Sequence, residues 1–155
     1  MFINILLPVD GSLPSLRAAR NGIQLAKLVD ARVTVLTVTT PWAAFFSREL
    51  AVVVPEIIIP KGEYDYKRES VAACVLQSVV AEARSAEVEV KALHRCHRDP
   101  YRAIIDTAEH EGCDLIIMGS HTDHAFGGTL LGSETMKVMT HTEIPVLVYR
   151  FNSWQ

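Results

Sequence analysis

Cysteine is scarce in this chain, a surplus of positive charge is missing, and no uninterrupted apolar run reaches membrane-spanning length. Each shortage removes a class of protein. The three cysteines, Cys74, Cys96 and Cys113, are odd in number and show no CxxC spacing. That argues against a disulfide framework and for free, buried thiols in a reducing compartment, the cytoplasm. Lys and Arg total 15 against 18 Asp and Glu, a formal net charge of -3. Such a balance lacks the basic footprint that draws nucleic acid or acidic lipid, so neither is expected as a partner. The greasiest stretch, residues 51–59, is broken by Pro55 and Glu56 and falls short of the ~20 residues a membrane helix needs. Residues 1–10 (MFINILLPVD) lack a basic leader, a long apolar core and a small-residue cleavage site. They read as a strand, not a signal peptide.

Catalytic signatures are missing as well. There is no Walker A motif, no GxSxG elbow, and no HxGH or SGGxDS stretch, which argues against P-loop, serine-hydrolase and nucleotidyl-transfer chemistry. Two constellations are set aside. His94-Arg95-Cys96-His97 offers metal-type ligands, but in a strand His94 and Cys96 share one face while His97 points away, and no second cluster completes four ligands. Ser120, His121 and Asp123 carry a triad's functional groups, yet neighbours along one loop do not take a triad's separate roles. No catalytic residue is assigned.

What is present is a well-filled α/β pattern. Apolar residues make up 49% and charged residues 21% of 155, so one domain over residues 1–155 is expected. Ile3–Leu7, Arg32–Val38 and Leu115–Met118 are dense in Ile, Leu and Val without alternation, as strands covered on both faces should be. Between the first two, Leu13, Leu16, Ala19, Ile23 and Ala26 form a helical stripe opposite Arg17, Arg20, Gln24 and Lys27, with Ser12 as N-cap. A second helix is expected over Tyr66–Arg84 with Val71, Val75, Ser78 and Val79 inward. A third starts at Asp99-Pro100 and closes at Gly112. Val88, Val90 and Ala92 alternate with Glu87, Glu89 and Lys91 as an edge or near-edge strand, a helix spans Glu134–Thr140, and Pro145–Tyr149 forms a last strand. Strand and helix alternate, which implies a doubly wound, mostly parallel sheet. Residues 39–65, with Pro41, Pro55 and Pro60, are expected to be a long loop or flap.

In such a sheet, ligands sit beyond the carboxyl ends of the strands where the chain reverses direction. Strand one ends in Pro8-Val9-Asp10-Gly11-Ser12. Asp10 has two readings there: it accepts ribose hydroxyls or helps hold a divalent metal, or it only satisfies N–H groups of its own turn. Strand four runs into Gly119-Ser-His-Thr-Asp-His-Ala-Phe-Gly-Gly-Thr-Leu-Leu-Gly132-Ser133 and a helix. Glycines at both ends and the N–H groups of Gly132, Ser133 and Glu134 outline an anion site.

Pro8-Val-Asp-Gly-Ser12, Asp114-Leu-Ile-Ile-Met-Gly-Ser120, Leu130-Leu-Gly-Ser133 and Ile144-Pro-Val-Leu-Val148 together resemble the universal stress protein family, over Ile3 to Arg150. The resemblance implies a Rossmann-like α/β fold: one open, mostly parallel five-stranded sheet of order 3-2-1-4-5 with helices on both faces. It implies ATP or AMP as ligand, with Mg or Mn. The site it implies holds adenine near Val38, the ribose or metal at Asp10, and phosphates at Gly119, Gly132, Ser133 and Glu134, with Pro8, Val9, Met118, His121 and Thr122 around them.

The ATP-binding branch has a middle glycine where this chain has Thr122, a β-branched residue that resists positive φ. The loop also carries Asp123 and no Lys or Arg, with His121 and His124 only partly offsetting that charge at neutral pH. Gly127-Gly128 offers flexibility at a shifted place. Pro145–Tyr149 is expected at a sheet edge, which must be covered or paired; in the family that the chain resembles, last strands pair across a two-fold axis, and the resemblance implies a homodimer through Ile144 to Arg150, the alternative being an edge covered by Phe151 to Gln155. Trp42, Phe45, Phe46 and the Val52–Ile59 run are candidates to cover the adenine pocket, a partner surface or the core. Two functions follow: a nucleotide-binding stress module acting through regulated protein contacts, or a dimeric interaction protein that binds no nucleotide. A slow ATPase using Asp10 and the loop histidines is a third.

Overall fold

Five short segments built from β-branched and aliphatic residues pair side by side, and the helices between them carry the chain from each strand to the next. The structure, a computed structural model, describes residues 1–44, 60–121 and 132–151. In chain order the elements are β1 (Asn4–Pro8), α1 (Leu13–Val29), β2 (Arg32–Thr39), α2 (Lys61–Ser85), β3 (Val90–Cys96), α3 (Pro100–His110), β4 (Leu115–His121), α4 (Ser133–His141) and β5 (Val146–Phe151). All pairings are parallel, in the order β3-β2-β1-β4-β5. The expected doubly wound α/β sheet of order 3-2-1-4-5 is therefore the observed one.

Because successive strand residues point to opposite faces, the sheet divides its apolar side chains between two cores. Ile5, Leu7, Val33, Val35, Leu115 and Ile117 pack against Ala18, Ala19, Ile23 and Ala26 of α1 and Val79 and Ala83 of α2. Leu6, Leu36, Ile116 and Met118 pack against Ile104, Ile105 and Ala108 of α3 and Val138 of α4. Below the sheet, the Asp114 carboxylate accepts the N–H groups of Ile3 (2.8 Å) and Asn4 (3.1 Å). Buried Asn4 donates to the Glu111 carbonyl and accepts from the Thr34 hydroxyl. These bonds hold β1 in register between β2 and β4.

Several local expectations need correction. The stretch expected as a loop over 39–65 is shorter at both ends, since Thr39 belongs to β2 and α2 begins at Lys61, five residues before Tyr66. Pro60 starts that helix, and buried Tyr64 anchors it by donating its hydroxyl to the Thr40 carbonyl at 3.0 Å. With the helix lengthened and anchored there, its inner stripe is Tyr64, Ala72, Val79 and Ala83; Val71 is 58% exposed and Ser78 faces solvent. Leu13, at the first turn of α1, is 62% exposed. Of the thiols expected to be buried only Cys113 is, and burial pushes its pKa up. Cys74 and Cys96 lie on the outer side of α2 and on the edge strand β3. Gly112, with φ of +64°, closes α3 through bonds from Gly112 N–H to the Glu109 carbonyl and Cys113 N–H to the Ala108 carbonyl, a left-handed stop that favours glycine. No helix among the described residues is long and apolar enough to cross a membrane.

Candidate functional site at the strand carboxyl ends

The chain leaves β1 towards β2 on one side and later returns to β4 on the other, so the two connections part above the sheet and leave a crevice. A cleft of about 330 Å³ opens there, walled by Pro8, Val9, Leu36, Val38, Ile104 and Met118 and rimmed by Asp10, Ser12, Ser15 and the start of α4.

The β1 wall is a self-contained turn. Val9 N–H donates to the Leu36 carbonyl at 2.8 Å. The Asp10 carboxylate then accepts Ser12 N–H at 2.9 Å, a turn that needs Gly11 at φ of +84°. Ser12 Oγ caps α1 by accepting Ser15 N–H at 3.4 Å, and Asp10 N–H donates to Ser15 Oγ at 3.3 Å. Partial desolvation by this turn works against the Asp10 charge. The hydrogen bonds from Ser12 and Ser15 outweigh it, and the Asp10 pKa lies below its ordinary value. The turn reading of Asp10 is thus realised in the structure, while its exposed carboxylate still borders the cleft.

On the β4 wall, Gly119 faces the first turn of α1: a Cβ placed there would run into the Pro14 carbonyl. This glycine lets α1 dock on β4, a packing reason that the sequence reading assigned instead to a ligand. Ser120, buried at the end of β4, accepts Gly132 N–H on its hydroxyl at 2.8 Å. Gly132 itself has φ of -52° and ψ of 143°, an ordinary extended conformation, and a Cβ there would meet Ser120 Oγ only at 3.5 Å. Among the described residues, neither backbone strain nor packing demands a glycine at that position.

The third wall is the start of α3. Asp99 holds the N-cap position as expected, but its side chain makes no capping bond; its N–H donates to His97 Nδ1 at 2.9 Å. Tyr101 N–H is met instead by Glu134 Oε2 of α4 at 3.0 Å, and Glu134 Oε1 accepts from Lys137 Nζ at 2.9 Å.

Nine sequence-nominated residues line the cleft: Pro8, Val9, Asp10, Val38, Met118, Gly119, Gly132, Ser133 and Glu134. His121 ends β4, paired with Phe151. Thr122 lies outside the described residues, as do Asp123, His124, Gly127, Gly128, Phe45, Phe46 and the Val52–Ile59 run. Sequence reasoning missed Ser15, Leu36, Pro100, Ile104, Ser120 and Thr135 as lining. Leu36 was within reach, being two residues before Val38 and so on the same strand face; Pro100 and Ile104 depend on how α3 leans over the sheet. Among the described residues the charged lining consists of Asp10 and Glu134, with no Lys, Arg or His. No group of three metal-type ligands occurs among them. The His94–His97 segment forms no such group either.

Comparison with known proteins places this geometry in context. The family model for the universal stress protein family matches residues 1–150. The Bacillus subtilis universal stress protein YxiE is 28% identical over 97% of this chain and all of its own length. The solved structure of MJ0577 superimposes with a TM-score of 0.76 at 27% identity, covering 97% of each chain. A universal stress protein solved in complex with cAMP aligns with a TM-score of 0.67 at 18% identity over 96% of this chain and 97% of that one. One from Archaeoglobus fulgidus solved with dAMP aligns at 0.63 and 18%, over 94% and 96%.

Proposed function

The chain belongs to the universal stress protein family, and from that premise we propose that its switch-point cleft binds an adenine nucleotide, ATP or AMP, in the cytoplasm and that occupancy regulates contacts with protein partners. The observation that carries this reading is the two-sided character of the cleft: an apolar wall of Leu36, Val38, Ile104 and Met118 beside a polar rim of Asp10, Ser12, Ser133 and Thr135. That division suits a flat base on one side and a sugar phosphate on the other. In this reading Val38 and its apolar neighbours take the adenine, Asp10 accepts the ribose hydroxyls, and the N–H groups of Ser133 and Glu134 meet a phosphate at the start of α4. Pro8, Val9 and Gly119 shape the floor. Among the described residues nothing packs closely enough on Gly132 to require a glycine, which supports an approach by ligand there. Relatives of the same fold solved with cAMP and dAMP support a nucleotide of this class. Mg or Mn enters, in this reading, with a bound polyphosphate.

The test is to denature the purified protein and analyse the supernatant for released nucleotide, then titrate AMP, and ATP with magnesium or manganese, by calorimetry. Co-purified adenine nucleotide or saturable heat is expected. The absence of both signals would reject the reading.

A second reading has its own support. β5 is a sheet edge whose Leu147 is 39% exposed, and an apolar edge invites pairing. We propose a homodimer through Ile144 to Arg150. If no nucleotide binds, this dimer acts as an interaction protein alone.

A further inference from the structure

Resting on the nucleotide reading, we infer that Tyr101 is a positioning residue for the cleft: it fixes the start of α3 to α4 and so sets the spacing between the apolar wall and the N–H groups that meet a phosphate. Two helices supply different parts of this site. Pro100 and Ile104 of α3 belong to the apolar wall, whereas Ser133, Glu134 and Thr135 bring the start of α4 to its polar rim. Tyr101 lies between Pro100 and Ile104 in the sequence and yet does not line the cleft. It acts through the two helices, not on the ligand.

Three contacts tie Tyr101 to α4. Its N–H donates to Glu134 Oε2 at 3.0 Å. Its ring lies 5.6 Å from Lys137 Nζ, which is itself paired with Glu134 Oε1 at 2.9 Å. The ring centroid is 5.2 Å from that of His141 at an interplanar angle of 49°, within the spacing of favourable tilted ring pairs. His141 is fixed in turn by a bond between its Nδ1 and the Lys137 carbonyl at 2.8 Å. Glu134 and His141 stand at the two ends of α4, about two helical turns or ~10 Å apart along its axis. One hydrogen bond at a helix start leaves the helix free to pivot, whereas contacts two turns apart fix its direction as well. Pro100 and Ile104 share that helix with Tyr101, so any tilt of α3 on α4 carries the wall away from the N–H groups of Ser133 and Glu134. A ligand that touches both needs their spacing held to about 0.5 Å. The Tyr101 hydroxyl takes no part in this tie: it accepts from Arg102 Nε of its own helix at 2.9 Å.

The experiment is calorimetry of the whole chain with adenosine and with AMP, on the wild type, Tyr101→Ala, Tyr101→Phe and His141→Ala, each checked for folding by urea denaturation. Tyr101→Ala removes the ring and keeps the main-chain N–H for Glu134. AMP is expected to bind the wild type more tightly than adenosine, because it reaches wall and phosphate position together. In Tyr101→Ala that ratio should fall about three- to tenfold, the worth of a lost aromatic contact. His141→Ala should lower it in the same direction, and Tyr101→Phe, which keeps the ring, should restore it. A residue that only stabilised the fold would lower the urea midpoint and leave the ratio alone. An unchanged ratio in Tyr101→Ala, equal weakening of both ligands, or no rescue by Tyr101→Phe overturns this inference and leaves the nucleotide reading standing. Should Tyr101→Ala not fold, an unchanged ratio in His141→Ala, a change at an exposed residue, overturns it equally. AMP no tighter than adenosine in the wild type also overturns it. Binding of neither ligand by the wild type removes the nucleotide reading and this inference with it.

Discussion

Glu134, near the start of α4, caps a different helix: its carboxylate accepts the Tyr101 N–H of α3 at 3.0 Å. Replacing it by alanine leaves that donor without its partner and also removes the ion pair with Lys137. Urea denaturation of Glu134→Ala should show a loss of about 1–2 kcal/mol, the range for a removed helix cap. Glu134→Gln should recover most of it. Equal losses in both variants would mean that charge, not the hydrogen bond, is what holds α3.

The two glycines that bracket the β4–α4 connection should respond oppositely to the same substitution. Gly119→Ala drives a methyl group into the Pro14 carbonyl, and because the obstacle is backbone the cost should be about 1–3 kcal/mol. Among the described residues Gly132→Ala meets only ordinary contacts, with Ser120 and Thr135, and should change stability by no more than about 0.5 kcal/mol. If Gly132→Ala nevertheless abolishes nucleotide binding while its melting curve stays in place, the lost space belonged to the ligand.

Asp10 makes stability depend on pH in a defined direction. Its pKa is lowered in the folded chain, so its contribution is present at neutral pH and disappears as pH falls through the folded-state value. The difference in Tm between the wild type and Asp10→Ala should be largest near neutrality and shrink on acidification. A difference that stays constant across that range would show that the Asp10 charge contributes nothing to the turn.

Thr37 carries a hydroxyl that is buried in β2 and has no hydrogen-bond partner among the described residues. Thr37→Val keeps the shape and removes the unmet polar atom, so thermal or urea melting should show a gain of about 1 kcal/mol. A loss would reveal a partner for that hydroxyl.

For the proposed dimer, Leu147→Lys places a charge on the exposed edge strand. Sedimentation equilibrium should report monomer for the variant and dimer for the wild type. A dimer that survives the change rejects β5 as the interface.

Much of the fold was legible because parallel strands buried on both faces leave dense apolar runs: Ile5–Leu7 and Leu115–Met118 are unbroken, Val33–Leu36 is interrupted by Thr34, and all three are central. The start of α2 was not legible. It is anchored by Tyr64 bonding to Thr40, across residues whose spacing says nothing of their proximity. In the site, Asp10 and the glycines stood out as turn residues, but their reasons differ. Gly119 serves helix docking, and the Ser120–Gly132 and Glu134–Tyr101 bonds join residues 12 and 33 apart that only packing brings together. No local pattern announces such pairs.

β1, the earliest of the five strands in the chain, is also the one with a strand on each side in the middle of the sheet: it pairs with β2 and, through Ile5 and Leu6, with Leu115 and Ile116 of β4. Asp114, which receives the N–H groups of Ile3 and Asn4, lies more than a hundred residues further on. During synthesis β1, the first of these five strands to emerge, therefore keeps one edge uncovered until the segment containing β4 has followed it. The interval between those two events is the period in which the nascent chain is most open to pairing with another copy of itself.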